Sequence, residues 1–543
     1  MLGTDMTMTS AICQVAESRR TQEALVCGDV RVTYGRLLEH VSMLARGLHQ
    51  LGVGKGDKVA ILLPPGSEFV TLFFSVASLG AVIVPLNPRL RRRALRNVLH
   101  DAEPIAFVTS RPVEHELPRQ VANLRHLIFA REEGERSPSL ADLQAVGEAG
   151  SLTAEDVKPD DLLALLYTSG TTGTPKATMH SHRSLIAPVV ASIKLRELWI
   201  RRPSLKTLGQ TAKALVRYRE RLLRAAGRPQ IFLSTVGWHT ITGLEVMLQA
   251  LLMGDRLVVM PRFHPRQALR LVEQERVTIL IAVPMALQVM VELQKREEYD
   301  TSSLLICGTG AAPCPSHLAR EIQQCFGCAV HIGFGATETA GGISATSLAD
   351  SDERQAETVG RPMPGMEIKI VDEQRRELPP GQVGELACRS DSIMLGYYRA
   401  PDATAEVMDE DGWYYTGDLA VMDDEGYLRI VGRKRDVIIR GGQNIYPAEI
   451  ETYLASHPKI REAAVVGVPA AVGGESAWAF VILEQGVEMT VREVLDCCRA
   501  ELEPYKVPAR VRFVTEFPRS QTGKPQKFKL RSIARHRNGA SER

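Results

Sequence analysis

Apolar runs of strand length, separated by helical segments, are the feature that most limits how this chain can fold. Such runs occur at residues 58–63, 81–85, 105–109, 162–168, 231–234, 256–260, 278–283 and 304–307. Strands that alternate with helices form βαβ units, in which helices cover a largely parallel sheet. The pattern therefore predicts an α/β protein with layered sheets.

A different pattern begins near residue 360 and indicates further folding units. Short strands and turns, as at 381–386 and 423–428, are typical of a β-rich subdomain, and residues 447–514 follow the order helix, strand, strand, helix, strand. A chain of 543 residues is also too long for a single core. We predict a large N-terminal domain at residues 1–432, a charged hinge at 433–436, a small α+β domain at 437–531 and a disordered basic tail at 532–543.

The apolar run at 162–168 ends in a loop suited to an anion. Residues 168–176 read Thr-Ser-Gly-Thr-Thr-Gly-Thr-Pro-Lys, so hydroxyls, free backbone N–H groups and one ammonium follow a buried strand. The P-loop of nucleotidases is excluded because Pro175 precedes the lysine and Ala177 follows it. The loop thus predicts a phosphate site of another kind.

This loop resembles the signature of the adenylate-forming enzymes, which include acyl-CoA synthetases, peptide-synthetase adenylation domains and firefly luciferase. Further motifs of that family follow in the same order along nearly the whole chain. The resemblance implies ATP, Mg²⁺ and CoA as ligands, with Thr168 acting in catalysis and metal binding. The implied phosphate-binding residues are Ser169, Gly170, Thr171, Thr172, Gly173 and Lys176.

Residues 333–339, Gly-Phe-Gly-Ala-Thr-Glu-Thr, are similar to the family's aromatic-Gly-x-Thr-Glu loop. The resemblance implies that Glu338 is catalytic and holds Mg²⁺ on ATP, and a carboxylate suits a hard cation bridging phosphates. Taken alone, the segment is also typical of a Gly-rich strand exit. The other nucleotide-site residues that the resemblance implies in this loop are Gly333, Phe334, Gly335 and Thr337. Segment 308–313 is also similar to a family segment, and there the implied nucleotide-site residues are Gly310, Ala311, Ala312 and Pro313. Gly308 of that segment would face the acyl group.

Two later motifs complete the adenylation site that the resemblance implies. Asp418, in the sequence Tyr-Tyr-Thr-Gly-Asp, would accept hydrogen bonds from the ribose hydroxyls, and Arg433 would approach the same ribose and phosphate. Lys524, in Pro-x₄-Gly-Lys, would be catalytic, because its ammonium would stabilise charge that grows on the phosphates.

A Gly-rich segment after the hinge resembles the family's thiol-transfer loop. Gly441 and Gly442 leave room where, in the family, the pantetheine thiol of CoA reaches the acyl-adenylate after the mobile small domain rotates. The same residues are also typical of a turn before a helix that Pro447 opens.

The substrate site is the least defined part of the resemblance. Residues 238–243 resemble an aromatic-His-x-x-Gly element that places His239 beside the carboxylate, with Thr240 and Gly243 nearby, although one extra residue precedes the glycine. No aspartate occurs in 234–243 to pair with a substrate ammonium, so amino acids are disfavoured. The small residues Ala340 and Gly341 leave room for a chain or a ring.

A basic segment at residues 194–228 departs from the family pattern. It holds eleven lysines and arginines against two glutamates, and its leucines give it partial helical amphipathicity. Such a segment would contact an anionic membrane or an acidic carrier protein. The alternative is a solvated helical insertion.

Composition excludes some functions and locations. A net charge of +2 gives no reason to expect a nucleic acid partner. Residues 1–18 lack the features of a signal peptide, and scattered cysteines suit a reducing compartment. We therefore predict a cytoplasmic protein, with peripheral membrane association through 194–228, and the resemblance also allows a homodimer.

Together the motifs predict an AMP-forming carboxylate–CoA ligase. ATP-Mg would activate a fatty, aromatic or alicyclic acid as an acyl-adenylate, and CoA would then take the acyl group as a thioester. One alternative is an acyl-AMP ligase that loads a carrier-protein thiol. A luciferase-type oxygenase is a second alternative, which no residue pattern supports.

Overall fold

The computed structural model describes residues 2–111, 121–130, 138–146, 156–168, 176–201, 218–225, 227–440, 443–470, 474–519 and 524–538. Within these ranges the chain forms two large mixed sheets, a smaller antiparallel sheet and a compact C-terminal unit. The layered α/β prediction is confirmed. The predicted strand at 304–307 lies two residues later, because a turn from Thr301 to Leu304 precedes it.

The first large sheet has nine strands in the order β15-β14-β13-β12-β11-β9-β10-β1-β2, with a parallel centre and antiparallel edges. Its strands are β1 Glu23–Cys27, β2 Val30–Thr33, β9 Ile231–Ser234, β10 Arg256–Val259, β11 Ile279–Ile281, β12 Ile306–Thr309, β13 Ala329–Ala336, β14 Gly341–Ala345 and β15 Arg361–Pro362. The second has seven strands in the order β18-β8-β7-β4-β3-β5-β6. They are β3 Lys58–Leu62, β4 Val82–Pro85, β5 Ala106–Thr109, β6 His126–Phe129, β7 Leu162–Thr168, β8 Lys176–Ser181 and β18 Gly396–Tyr397.

Helices pack between and around these sheets. In chain order they are α1 Met8–Ser18, α2 Tyr34–Gln50, α3 Ser67–Ser78, α4 Arg92–Ala102, α5 Leu140–Val146, α6 His182–Arg201, α7 Arg219–Ala225, α8 Ile241–Leu252, α9 Pro265–Glu275, α10 Pro284–Arg296, α11 Ser316–Phe326, α12 Asp352–Glu357, α13 Pro401–Val407, α14 Pro447–Ala455, α15 Val491–Glu501 and α16 Lys527–Asn538. The largest core cluster joins both sheets through α3 and α8, which have apolar side chains on most faces because sheets or helices cover them. No helix of the described residues is both long and apolar enough to cross a bilayer.

The β-rich and C-terminal units follow the large sheets in the chain. An antiparallel sheet contains β16 Glu367–Val371, β17 Gly384–Arg389, β19 Tyr414–Met422 and β20 Leu428–Arg433. A 3₁₀ turn, Lys434–Asp436, then leads to the hairpin β21 Ile438–Arg440 and β22 Gln443–Ile445. The last sheet, β23 Ile460–Pro469, β24 Glu475–Leu483 and β25 Arg510–Phe513, packs with α14 and α15 around its own core.

The predicted disorder of residues 532–543 is wrong for the part that the structure describes. Residues up to Asn538 belong to α16, and Leu530 and Ala534 are buried against Val466 and Phe480 of the last sheet. A basic composition suggested a solvated tail, but the two apolar positions are four residues apart and therefore share one helix face. Residues 539–543 lie outside the described part.

Candidate active site

One cleft runs between the large sheets and the C-terminal unit, and most of the predicted site residues that the structure describes lie on its wall. The groups with chemical function on this wall are Lys176, His239, Glu338, Asp418, Arg433 and Lys524. Elements far apart in the sequence supply them, namely strand starts, strand ends and the C-terminal unit. Motifs that are far apart in the sequence thus lie together on one surface.

Glu338 lies in a 3₁₀ turn directly after β13 and is joined to the phosphate loop through Tyr397. The Tyr397 hydroxyl donates to Glu338 Oε1 at 2.8 Å, and the Lys176 ammonium lies 5.2 Å from the centre of the Tyr397 ring. Burial and the nearby carboxylate raise the pKa of Tyr397, so it stays a neutral donor. Tyr397 was missed from the sequence, since only the pairing of β18 with β8 brings it here.

Asp418 and Arg433 face each other across neighbouring strands. The antiparallel register of β19 and β20 pairs the two residues, and Arg433 Nε donates to Asp418 Oδ1 at 2.9 Å. Asp418 is only 7% exposed, and burial raises its pKa despite the opposing effect of Arg433. A buried carboxylate with one paired oxygen retains acceptor capacity toward the cleft.

The turn that presents Asp418 is held by a second carboxylate. Gly417 has φ +70° and donates its N–H to Glu385 Oε1 at 3.0 Å, while Lys434 donates to Glu385 Oε2 at 2.9 Å. A glycine is favoured there because side chains disfavour positive φ. Glu385 therefore links the Asp418 turn to the start of the predicted hinge, and the sequence carried no signal for that role.

Lys524 reaches the same cluster from the C-terminal unit. Its pKa is lowered chiefly by desolvation and next by the Arg433 charge, while Asp418 acts in the opposite direction. The three charges are thus close enough to influence one another. This proximity places the Lys524 ammonium at the end of the cleft where Asp418 lies.

Small residues let backbones meet at the predicted nucleotide segments. A Cβ on Gly310 would lie 2.6 Å from the Gly333 carbonyl oxygen, and one on Gly335 would overlap the Gly341 carbonyl. Ala311 has φ +62°, which turns the chain after β12. A Cβ on Gly308 would collide with the Ile281 side chain. The remaining predicted residues on this wall are Ala312, Pro313, Phe334 and Thr337.

His239 and its neighbours form the start of α8. Desolvation, and secondly Arg89, lower the pKa of His239 to about 4, so its imidazole is neutral near pH 7. The Thr240 hydroxyl caps α8 by accepting from the Gly243 N–H at 3.3 Å and donating to the Gly237 carbonyl at 2.8 Å. Gly243 packs against the Gly237 backbone rather than lining the cleft, which corrects its predicted contact with substrate.

The wall beside Gly341 contains a carboxylate that was missed from the sequence. Glu245 of α8 lies against the backbone of Gly341 and Gly342, and a Cβ on Gly341 would overlap its carboxylate. Ala340 is 1% exposed in the core and does not line the cleft, contrary to its predicted role. Glu245 lies two residues beyond the segment 234–243, in which no aspartate occurs.

Some predicted residues lie outside the described part of the chain. They are Ser169, Gly170, Thr171, Thr172, Gly173, Gly441 and Gly442, together with the side chain of Thr168. Their flanks are described, because β7 ends at Thr168, β8 begins at Lys176 and β22 begins at Gln443. Among the described residues, no group of three or more His, Cys, Asp or Glu could hold a metal ion.

The basic segment 194–228 is only partly described, and some of its charges are used within the protein. Arg196 pairs with buried Asp255 at 3.0 Å, and Arg221 donates to the carbonyls of Thr301 and Leu304. Tyr218 is buried, whereas Leu223 is 66% exposed. Arg196 and Arg221 therefore do not form a free basic face, and residues 202–217 and 226 lie outside the described ranges.

Comparison with known proteins gives the same picture for nearly the whole chain. Residues 13–398 match the family described as AMP-binding enzyme, and residues 449–524 match its C-terminal domain. The medium-chain fatty-acid–CoA ligase of Escherichia coli (strain K12) is 33% identical, over 92% of this chain and 85% of that protein. Pyochelin synthase PchD of Pseudomonas aeruginosa (strain UCBPP-PA14) is 32% identical, over 98% of this chain and 93% of its own. The crystal structure of ATP-bound MatB from Rhodopseudomonas palustris superposes with a TM-score of 0.84 at 27% identity, covering 97% of this chain and 99% of that one.

Proposed function

Because this chain belongs to the AMP-binding enzyme family, it is an ATP-dependent, AMP-forming acyl-CoA ligase, and we infer that the cleft described above carries out its adenylation step. The observation that carries this inference is the meeting of Lys524, Asp418 and Arg433 at one end of the cleft. Two carboxylates and three cationic groups from separate motifs, Glu338 and Lys176 included, then face the same space.

Each group has a role that follows from its charge and position. Asp418, with one oxygen held by Arg433, accepts hydrogen bonds from the ribose of ATP. Lys176 and Lys524 carry positive charge to the phosphates, where negative charge grows as the acid's carboxylate attacks and pyrophosphate leaves. Neutral His239 borders the acyl end of the cleft and positions the carboxylate.

Mg²⁺ fits the carboxylate of Glu338. One Glu338 oxygen accepts from Tyr397 and a carboxylate has two, so the other oxygen could hold a hard cation such as Mg²⁺. When bound, the ion neutralises charge on the leaving pyrophosphate. Thr168 is the second proposed ligand, on the sequence motif alone.

The transfer step is proposed to need rotation at residues 433–436. Lys434 binds Glu385 of the large unit at 2.9 Å, whereas Asp436 faces Arg531 of α16 at 3.5 Å. Contacts of the turn are thus divided between two bodies, which is a suitable place for a hinge. Rotation there would withdraw Lys524 so that CoA can attack the adenylate, and Gly441 and Gly442 are assigned to this step on the sequence motif alone.

The acyl substrate is a carboxylic acid, and its class is a proposal. The E. coli relative is named as a medium-chain fatty-acid–CoA ligase, and the P. aeruginosa relative as pyochelin synthase. CoA is the acceptor, and loading of a carrier protein is the alternative for the same adenylate. An ATP–pyrophosphate exchange screen over acids of varied chain length and ring content tests the function. We expect acid-dependent exchange, followed by a CoA thioester; exchange with no acid of either type would contradict the proposed function.

Fewer observations support the other predicted partners. Contact of 194–228 with an anionic surface is supported, within the described residues, by the exposed Lys194, Arg219, Leu223, Arg224 and Arg228. Arg221 should be left out of any charge-reversal test, because its bonds to Thr301 and Leu304 are structural. A homodimer and a cytoplasmic location stay predictions.

A further inference from the structure

A line of polar side chains runs along the acyl end of the cleft, on one face of α8. Thr242, Glu245 and Gln249 recur at three- and four-residue spacing and lie on the cleft wall, together with the apolar residues Ile241, Val246 and Met253. Tunnels for plain hydrocarbon chains are lined by apolar side chains, since a polar group buried against hydrocarbon loses its hydrogen bonds. The polar residues of this face therefore indicate a ligand that carries a polar group.

Glu245 is the centre of a hydrogen-bonded network. Gln249 Nε2 donates to Glu245 Oε1 at 3.1 Å and to Ser192 Oγ at 3.0 Å, and Ser192 Oγ in turn donates to the Pro188 carbonyl at 2.9 Å. The backbone of Gly341 and Gly342 packs against the same carboxylate. The network fixes the carboxylate in one orientation on the wall.

The network leaves the carboxylate with unused capacity. Among the described residues, Gln249 donates the one hydrogen bond found to it, while a carboxylate offers about four acceptor positions. No lysine or arginine of the described ranges forms an ion pair with Glu245, and burial raises its pKa to about 7. Keeping such a group on a cavity wall is costly unless a ligand supplies the missing donor.

We propose that Glu245, oriented by Gln249, selects acyl substrates that carry a hydroxyl or amine donor away from the carboxylate. Glu245 lies five residues beyond the cap Thr240, or about 7.5 Å along the helix axis, so the donor belongs near the middle of a medium chain or on the far side of a ring. This inference rests on the proposed adenylation of a carboxylic acid.

The test compares acids that differ only by a hydroxyl in place of a methyl group, such as 4-hydroxybenzoate with 4-methylbenzoate and 6-hydroxyhexanoate with heptanoate. We expect kcat/KM in ATP–pyrophosphate exchange to favour the hydroxyl member of at least one pair by about tenfold or more. Glu245→Leu should reverse that preference, and the nearly isosteric Glu245→Gln should reduce it. The same exchange measured on Glu321→Leu, an acidic residue of α11 away from the cleft, should keep the wild-type ratio.

The outcomes separate this inference from the proposed function. Exchange with both members of each pair at equal rates, unchanged by either Glu245 variant, would overturn the inference while the function stands. If Glu245→Gln lowers kcat/KM equally for all acids and leaves the hydroxyl-to-methyl ratio unchanged, Glu245 has only a structural role beside the Gly342 backbone. That result would also overturn the inference. Exchange with no acid at all would be a failure of the proposed function.

Discussion

At the scale of single residues, the site is organised by side chains that hold the reactive groups rather than by those groups alone. Tyr397 spans the space between Lys176 and Glu338, and Glu385 fixes the turn before Asp418. Each supporting group is buried or paired, so it has one orientation. The reactive groups are therefore positioned before any ligand enters, which reduces the reorganisation that catalysis requires.

Tyr397→Phe tests this positioning, since it removes the hydroxyl bond to Glu338 and keeps the ring beside Lys176. A hydrogen bond to a charged group contributes about 1.5–3 kcal/mol, so we expect kcat/KM for exchange to fall by about tenfold or more and half-saturating Mg²⁺ to rise. Titrating exchange activity with Mg²⁺ measures both. Tyr398→Phe, one residue on, is the matched control and should change neither; an unchanged Mg²⁺ response in Tyr397→Phe would remove Tyr397 from the metal site.

At the scale of elements, hydrophobic pattern alone locates strands well and supporting contacts poorly. The bounds of β7 and β9 agree with the predicted runs, because continuous apolar residues bounded by loops leave little choice. The helix α16 was not predicted, because the burial of Leu530 and Ala534 depends on the sheet face that covers them. Glu245 was not predicted for a similar reason. In the sequence it is a single polar residue of a helix, and Gly342, which lies beside it in the structure, is far away in the sequence.

The packing of α1 on α6 predicts an acid-sensitive stability. Buried His182, the first residue of α6, accepts the Met8 N–H at Nδ1 over 3.0 Å, and burial lowers its pKa to about 4. The unfolded chain binds this proton more readily, so the stabilisation is complete above pH 6.5 and is lost as the pH falls toward 4. One such histidine contributes a slope of at most about 1.4 kcal/mol per pH unit.

Denaturant unfolding between pH 7.5 and 4.5 measures this slope. His182→Gln should flatten it, because glutamine offers an acceptor for Met8 without titrating. The control His317→Gln should leave the pH slope of the unfolding free energy unchanged, since the exposed His317 imidazole is similarly hydrated in the folded and unfolded chain. Equal slopes for all three proteins would show that the neutral His182 is not a source of the pH dependence.

At the scale of the whole molecule, the chain combines a large two-sheet body with a C-terminal unit that delivers Lys524 to the cleft. The order and spacing of motifs predicted a large and a small domain, and among the described motif residues Lys176 begins β8, Glu338 follows β13 and Arg433 ends β20. The sequence could not predict which side chains hold the motifs in place, since Tyr397, Glu385 and Glu245 act through contacts set by strand order and register.

We propose that Lys524 serves adenylation and leaves the cleft for thioester formation. The direct measurement compares two half-reactions of Lys524→Ala: ATP–pyrophosphate exchange, and transfer of a supplied acyl-adenylate to CoA. We expect exchange to fall by about 10²–10³-fold while transfer stays near the wild-type rate, because the ammonium is needed only where phosphate charge develops. Lys529→Ala, which removes a nearby lysine of α16 that does not line the cleft, should change neither. Equal loss of both half-reactions in Lys524→Ala, or full retention of exchange, would contradict the claim.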